Sequence, residues 1–176
     1  MWEGGISKNQ YCYPLPNDPE VVATGKHLID GIPESEIYKS GIYSCAKSPQ
    51  SHIGPFRHAI DFLVVDGTPV LAALDGVVIE VKEGSSKWGD DPYYREFLNL
   101  VTLAHENGEY TQYCHLAKNS VSQNGIKIGT KVKQGQQIAT VGKTGWTDRD
   151  HLHFIVFRNH INLSPFKFKS LAPRFN

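Results

Sequence analysis

From residue 59 to residue 157 the chain is a succession of short β-type segments separated by turn residues. Asp-Gly and Asn-Gly pairs, which favour tight turns, recur at Asp66-Gly67, Asp75-Gly76, Asn107-Gly108 and Asn124-Gly125. No long segment with a 3.6-residue apolar period interrupts this region, so a parallel α/β sheet is not expected. We predict an all-β, predominantly antiparallel fold with strands at 59–65, 69–73, 76–82, 98–104, 109–116, 137–141 and 152–157.

The flanking residues have a different character. Residues before about 51 carry scattered Pro, Gly and Asn, with a weak helical pattern only around Val21 to Ile29. Since a separate domain of that size would struggle to bury a core, we predict an arm at 1–50 packed on a main domain at 51–160. Residues 161–176 are predicted to form a C-terminal tail. Within the main domain, 83–97 combines Gly, Ser, Asp and Pro with aromatic residues and is predicted to be a long loop.

Composition excludes several classes of protein. The 176 residues include 18 Lys and Arg against 18 Asp and Glu, so the basic excess typical of nucleic-acid and membrane-surface binders is missing. Apolar runs such as Val77-Val78-Ile79 are too short for a transmembrane segment. Met1 to Gly5 does not resemble a secretory signal, which predicts a cytosolic protein or one whose signal has been removed. If the protein is exported, Cys12 and Cys45 could form a disulfide that leaves Cys114 free. The alternative is that all three cysteines are reduced thiols.

The sharpest local feature is His151-Leu152-His153. In a strand, alternate residues share a face, which places the two histidines about 6.5–7 Å apart at Cα. Leu152, Phe154 and Val156 would then face the core. Two adjacent imidazoles suit a metal or acid–base site, although such a pair is equally compatible with a solvated strand surface.

Two further residues join this pattern. His115 shares a predicted strand with Tyr113, and alternation places both on one face. Asp61 lies between the apolar residues Ile60 and Phe62, where a carboxylate is costly unless a cation or hydrogen bonds stabilise it. It is therefore either a metal ligand or a buried structural aspartate bonded to backbone amides. A zinc hydrolase needs three protein ligands and one open position. The chain has no His-Glu-x-x-His helix, so any zinc site must be assembled from strands.

A longer ordered set of segments resembles the lysostaphin and LytM-type metallopeptidases. The resemblance spans about residues 51 to 157. The segments that carry it are Ala59-Ile60-Asp61-Phe62, Gly67 to Ala73, Gly76-Val77-Val78, Asn99-Leu100-Val101, His105, Gly108, Tyr113-Cys114-His115-Leu116, Gly129, Val132, Gly135 to Ile138, Val141-Gly142, Thr144-Gly145 and His151-Leu152-His153-Phe154.

This resemblance implies a zinc-dependent endopeptidase that cleaves peptide cross-links of bacterial peptidoglycan. It implies one zinc per chain and a LytM-like fold of the duplicated-hybrid or barrel-sandwich type, with loops forming a groove. By position, Asp61 and His153 would be zinc ligands, and His115 and His151 the catalytic imidazoles. The expected setting is a monomer acting on peptidoglycan peptides in the cell envelope, periplasmic or secreted. The substrate-groove candidates are Tyr93, Asn99, Tyr113 and Trp146.

One position departs from the family pattern. The first zinc histidine usually stands four residues before the aspartate, where this chain has Arg57, and a guanidinium that stays protonated cannot ligate zinc. His52, before a Gly-Pro turn, is our first choice for the missing ligand. His58 is the second, because on a regular strand it would face away from Asp61. A lost metal site is the third.

Two alternatives of other classes remain open. Arg57 is compatible with a metal-deficient relative that binds cell wall or a partner without cleavage. The segments Gly67 to Val70 and Val132 to Gln136 also suit carrier or phosphotransfer modules of similar fold. Such modules lack the combination of Asp61 with the His151 and His153 pair.

Overall fold

The computed structural model describes residues 5–159 and 168–176. Two short helices, α1 (Pro19–Thr24) and α2 (Ser120–Gln123), accompany five 3₁₀ turns at Lys26–Ile29, Glu34–Glu36, Gly54–Phe56, Pro92–Phe97 and Glu106–Gly108. The strands are β1 (Ile6–Tyr11), β2 (Ile37–Ser40), β3 (Tyr43–Ala46), β4 (Ile60–Phe62), β5 (Pro69–Leu71), β6 (Gly76–Lys82), β7 (Trp88–Gly89), β8 (Leu100–Ala104), β9 (Tyr110–Cys114), β10 (Lys131–Val132), β11 (Gln137–Thr140), β12 (Gly145–Trp146), β13 (Leu152–Asn159) and β14 (Phe168–Phe175).

One large sheet organises these strands. Its order is β10-β6-β8-β9-β13-β4-β3-β2, and β14 joins the far end of β13 and pairs in turn with β1. All pairings along this path are antiparallel, while β1 with β14 and β7 with β12 are parallel. The predicted all-β, predominantly antiparallel class is therefore confirmed.

The core lies on one face of this sheet. Phe62, Tyr113 and Phe154, from adjacent strands, are fully buried there, and the small β5–β11 ribbon adds Val70 and Ile138 to the same cluster. Residues one position away in β4 and β13 must then face the opposite side, because successive side chains alternate. The sheet thus has an apolar inner face and a second face on which polar groups of neighbouring strands can meet.

Every strand predicted between 59 and 157 is present in the structure, with ends that differ by a few residues. The prediction that segment 83–97 is a long loop needs correction. The segment is not an irregular loop throughout, since it contains β7 and the turn Pro92–Phe97, with Asp91 capping that turn by accepting from the Tyr93 backbone N–H. Strand β7 pairs with β12, which is far away in the sequence. The local sequence pattern of 83–97 does not reveal this pairing.

The residues before 51 add strands to the same sheet. β2 and β3 extend it beyond β4, and β1 pairs with β14. The domain boundary at 50 remains a prediction, and the boundary at 160 falls outside the described residues. Cys12, Cys45 and Cys114 are free thiols in the structure. Among the described residues no helix has the length and apolarity needed to cross a bilayer.

Candidate metal centre

Asp61 and His153 face each other across two paired strands. They are direct partners in the antiparallel register of β4 and β13. Because their neighbours Phe62, Leu152 and Phe154 are buried in the core, both side chains lie on the opposite face of the sheet. His153 Nδ1 lies 2.9 Å from Asp61 Oδ1. The β-alternation read from the sequence therefore brings a carboxylate and an imidazole into direct contact.

His52 reaches the same carboxylate from a turn. Its backbone N–H donates to Ser48 O, and Gly54, with a φ of +54°, together with Pro55 directs the chain into the following 3₁₀ turn. The ring is 4% exposed, and its Nε2 lies 3.2 Å from Asp61 Oδ2. Both ring nitrogens of His52 are buried, and neither makes a hydrogen bond within the described part of the chain. A buried imidazole held mainly by a carboxylate is costly unless the site also binds something.

These three residues fit a zinc ion. One ligand atom from each of His52, Asp61 and His153 lies within 4.8 Å of the others. The two histidines contact different oxygens of the carboxylate, His153 Nδ1 at 2.9 Å from Oδ1 and His52 Nε2 at 3.2 Å from Oδ2, so both imidazoles lie close enough to share an ion with Asp61. Two imidazole nitrogens and one carboxylate oxygen are a donor set that zinc favours and that leaves a fourth position.

The charge of Asp61 is maintained despite its surroundings. Burial disfavours the ionised form, but nearby His151, the hydrogen bond with His153 and the contact with His52 outweigh it and hold the pKa of Asp61 well below its usual range. The carboxyl group is therefore an anion, which is the form that ligates a metal ion.

Arg57 and His58 lie apart from this cluster. The Arg57 backbone N–H donates to Gly54 O at the end of the 3₁₀ turn. The His58 backbone N–H donates to Ser170 Oγ of β14, and His58 lines a separate cavity of about 330 Å³ with Tyr38. Of the two histidines considered as replacements for the displaced ligand, the structure brings His52 to Asp61.

His115 enters the site through an unusual backbone conformation. Its φ of 65° is left-handed, so the strand alternation of β9 ends at Cys114. The expectation that Tyr113 and His115 share one face is wrong for this reason. His115 Nδ1 lies 2.5 Å from Thr144 O, and burial, with the neighbouring His151 and His153, holds the pKa of His115 well below its ordinary value. The ring is therefore neutral, with the proton on Nδ1, since only a donor can bond a carbonyl oxygen.

His151 lies against His115, with ring centroids 4.4 Å apart. Its Nδ1 is 3.0 Å from Arg149 O and 3.2 Å from Thr147 Oγ1, so Nδ1–H donates to the carbonyl. The other nitrogen, Nε2, lies 3.8 Å from Asp61 Oδ1. Both imidazoles are thus oriented by backbone carbonyls through Nδ1, and Nε2 of His151 is turned toward Asp61.

Two of the predicted groove residues lie below the surface. Tyr113 is fully buried in the core, where its hydroxyl accepts from the Ala73 backbone N–H, so it does not line a groove. Asn99 is 1% exposed, and its side-chain amide donates to Ser85 O and Leu116 O while its oxygen accepts from Ser85 N–H. Asn99 therefore links Ser85, near the start of segment 83–97, to Leu116, the residue that follows His115.

The other two groove candidates are exposed. Tyr93 is 66% and Trp146 is 42% exposed. Trp146 Nε1 donates to Asp90 Oδ1 at 3.3 Å, and the guanidinium of Arg95 lies 5.3 Å from the indole centre. Trp146 belongs to β12, between Thr144, which contacts His115, and Thr147, which contacts His151. Trp146 therefore lies on the segment that holds both imidazoles, and Tyr93 lies in the turn Pro92–Phe97, which contacts β12.

Sequence reasoning missed Thr144, Thr147 and Arg149 as supports of the site. Thr144 and Arg149 act through their backbone carbonyls, and a carbonyl is common to every residue type. Only the position of these residues, in the segment leading to His151, pointed to them.

Comparisons with known proteins agree with this geometry. Residues 55–165 match Peptidase family M23. The peptidoglycan DD-endopeptidase ShyC of Vibrio cholerae is 40% identical over 106 residues, covering 60% of this chain and 21% of that protein. The glycyl-glycine endopeptidase ALE-1 of Staphylococcus capitis is 35% identical over 118 residues, covering 66% of this chain and 28% of that protein. The chain thus spans less than a third of the length of these relatives.

Among solved structures, a zinc-containing peptidase from Vibrio cholerae superposes with a TM-score of 0.50 at 24% identity. The superposition covers 84% of this chain and 36% of that one. At this identity the likeness supports a shared fold.

Proposed function

The chain belongs to peptidase family M23, and on that basis we propose that it is a zinc-dependent endopeptidase that hydrolyses peptide cross-links of bacterial peptidoglycan. The observation that carries the proposal is the meeting of His52, Asp61 and His153, with ligand atoms within 4.8 Å of one another. The relatives named as peptidoglycan DD-endopeptidase and glycyl-glycine endopeptidase support the substrate class. We propose that the protein acts in the cell envelope, periplasmic or secreted, as a monomer.

In this proposal His52, Asp61 and His153 hold one zinc ion. Zinc bound there would supply a Lewis acid that polarises the scissile carbonyl and lowers the pKa of water. The ionised Asp61 carboxylate contributes the negative charge of the site, and the two imidazoles bind as neutral rings. His58 stays the second choice for the first ligand, and its absence from the group of ligand atoms that meet at Asp61 argues against it.

We assign the proton transfers to His115 and His151. Both rings carry the proton on Nδ1, tied to Thr144 O and Arg149 O, so Nε2 is the basic nitrogen of each. A neutral Nε2 takes a proton from the attacking water and, once protonated, donates a hydrogen bond to the tetrahedral oxyanion or a proton to the leaving amine. The burial of His115 keeps it in the neutral form that this role requires.

We propose that the exposed aromatic side chains contact the substrate peptide. Tyr93 and Trp88 line a cavity of about 440 Å³, and Trp146 stands on the adjoining strand β12. Flat aromatic surfaces provide large contact areas at low cost in side-chain entropy. They would hold the peptide beside the two imidazoles, which the residues flanking β12 help to orient.

A direct test uses soluble cross-linked muropeptides and the purified chain reconstituted with zinc. Substrates with a direct diaminopimelate cross-link and with a glycine bridge are incubated separately, and mass spectrometry identifies the products. We expect one class to gain a water across a peptide bond, and we expect a chelator to stop this reaction and zinc to restore it. Binding to cell wall by the zinc-loaded chain, with neither substrate cleaved, would instead identify a non-cleaving relative.

A further inference from the structure

Arg149 connects the site to a part of the chain that lies outside the family match. Its Nη1 donates to Leu28 O at 2.7 Å and to Asp30 O at 2.9 Å. Leu28 lies in the 3₁₀ turn Lys26–Ile29, which Asp30 caps, whereas the match to the family begins at residue 55. The guanidinium therefore binds carbonyls at the C-terminal end of a helical turn, where a cation is favoured.

The guanidinium of Arg149 also pairs with the neighbouring Asp148. Its Nε and Nη2 donate to the two carboxylate oxygens of Asp148 at 3.1 and 3.0 Å. A bidentate pair of this kind fixes the plane of the guanidinium as well as its position. The side chain is thus held between the preceding residue and the turn Lys26–Ile29.

The backbone of the same residue holds His151. Arg149 O accepts from His151 Nδ1 at 3.0 Å and from Thr147 Oγ1 at 2.8 Å, and Arg149 N–H donates to Thr147 Oγ1 at 3.3 Å. The position of the Arg149 carbonyl consequently sets both the tautomer and the orientation of the imidazole. The side chain anchors this carbonyl to the N-terminal turn.

The N-terminal turn is itself closely docked. Leu28 is buried, and Gly25 packs so tightly that a Cβ at that position would lie 2.9 Å from Leu63 O. Leu63 directly follows β4, the strand that carries Asp61. The turn is therefore packed against the residues that follow β4, and Arg149 reaches it from the segment that leads to His151.

From these contacts we propose that Arg149 is a positioning residue, through which the N-terminal segment 25–30 fixes His151 for catalysis. This inference rests on the proposed peptidase function. Loss of the guanidinium leaves the loop 147–151 without its anchor, and His151 then samples orientations in which Nε2 no longer meets the substrate. Small displacements of a catalytic group reduce turnover more than substrate binding.

The test compares Arg149→Gln with Arg174→Gln, whose guanidinium also binds two backbone carbonyls of the N-terminal region, those of Ser7 and Lys8. Turnover of a soluble muropeptide, zinc content and thermal stability are measured for both. We expect Arg149→Gln to lower kcat about tenfold to a hundredfold with KM and zinc content unchanged. Arg174→Gln should keep the wild-type kcat. Wild-type kcat in Arg149→Gln, or an equal loss in both variants, would overturn the proposal.

A second measurement keeps the inference separate from the proposed activity. Nitrogen-15 NMR of the imidazoles reports which nitrogen of His151 carries the proton, whether or not the chain cleaves a substrate. We expect the Nδ1–H form in the wild type and a mixture of tautomers in Arg149→Gln and in Gly25→Ala, which displaces the same turn from the opposite side. A single Nδ1–H form in both variants would contradict the role of Arg149 even if the peptidase function holds. Failure of every zinc-loaded form to cleave muropeptides would overturn the function alone.

Discussion

His115 contacts His151 with ring centroids 4.4 Å apart, and each ring directs its Nδ1 to a different backbone carbonyl. The two imidazoles are held in the same tautomer and lie beside a carboxylate and two further histidines. Histidines on a solvated surface would not need such defined partners. Together with the match to family M23, this arrangement supports separate roles for two ligand histidines and two proton-transfer histidines.

Replacing His115 with Ala should abolish activity without removing zinc. General acid–base catalysis contributes about 10²–10⁴-fold to rate, so we expect kcat for a muropeptide to fall by that factor. Zinc content, measured on the same sample, should stay at the wild-type level. Lys127→Ala, which removes an exposed side chain in a different loop, is the control. Wild-type turnover by the His115 variant would remove this residue from the mechanism.

Replacing Trp146 with Ala should weaken substrate binding. Trp146 is 42% exposed on β12, and an aromatic contact contributes about 0.5–1.5 kcal/mol, or about twofold to thirteenfold in KM. We expect KM to rise by this factor while kcat changes less. Ile128→Ala removes an apolar side chain that is 63% exposed in a different loop and serves as control. An unchanged KM for Trp146→Ala would show that the aromatic surface does not contact the peptide.

Acid should destabilise the fold partly through His105. Burial lowers the pKa of His105, although its hydrogen bond to Asp75 O acts in the opposite direction. The unfolded chain therefore binds a proton that the folded chain does not, so stability is lost as the pH falls below the unfolded value of about 6.5. Urea unfolding at pH 7 and pH 5 should show a smaller loss for His105→Gln than for the wild type. An equal loss in both would contradict this, and His27→Gln controls for removal of an exposed histidine.

Glu109 should be essential to the attachment of the N-terminal strand. It is fully buried and accepts from the backbone N–H groups of Lys8 and Asn9, from the Tyr11 hydroxyl and from Arg158 Nη2. Glu109→Ala leaves these donors unpaired, and we expect a loss of about 3–5 kcal/mol in the free energy of unfolding, measured with urea. Glu106→Ala, at an exposed position in the adjacent turn, should change it by less than about 0.5 kcal/mol. A similar small effect for Glu109 would contradict this account.

The β-period of the sequence was sufficient to predict much of the site. Alternation of Phe154 with His153, and of Phe62 with Asp61, correctly placed the polar members of both strands away from the core. The same rule failed at His115, because one left-handed residue redirects the chain and no local pattern announces it. Tyr113, which the rule placed on one face with His115, belongs to the core.

Other features depend on contacts between distant segments. The side-chain amide of Asn99 makes hydrogen bonds with three backbone groups, two in Ser85 and one in Leu116. Nothing in the local sequence around Asn99 predicts these bonds. The choice of His52 over His58 rested on strand periodicity, on the Gly-Pro turn and on a resemblance to some sequences of the family. The approach of His52 to Asp61 depends on how that turn folds back, which only the assembled structure provides.

The metal content of the purified chain tests the central claim most directly. Elemental analysis after zinc reconstitution and removal of free metal is applied to the wild type, His52→Ala, His58→Ala and His153→Ala. The ligand set His52, Asp61 and His153 predicts one zinc per chain in the wild type and in His58→Ala, and a large loss in the other two variants. Full zinc occupancy in His52→Ala, or a wild-type chain that retains no zinc, would contradict it.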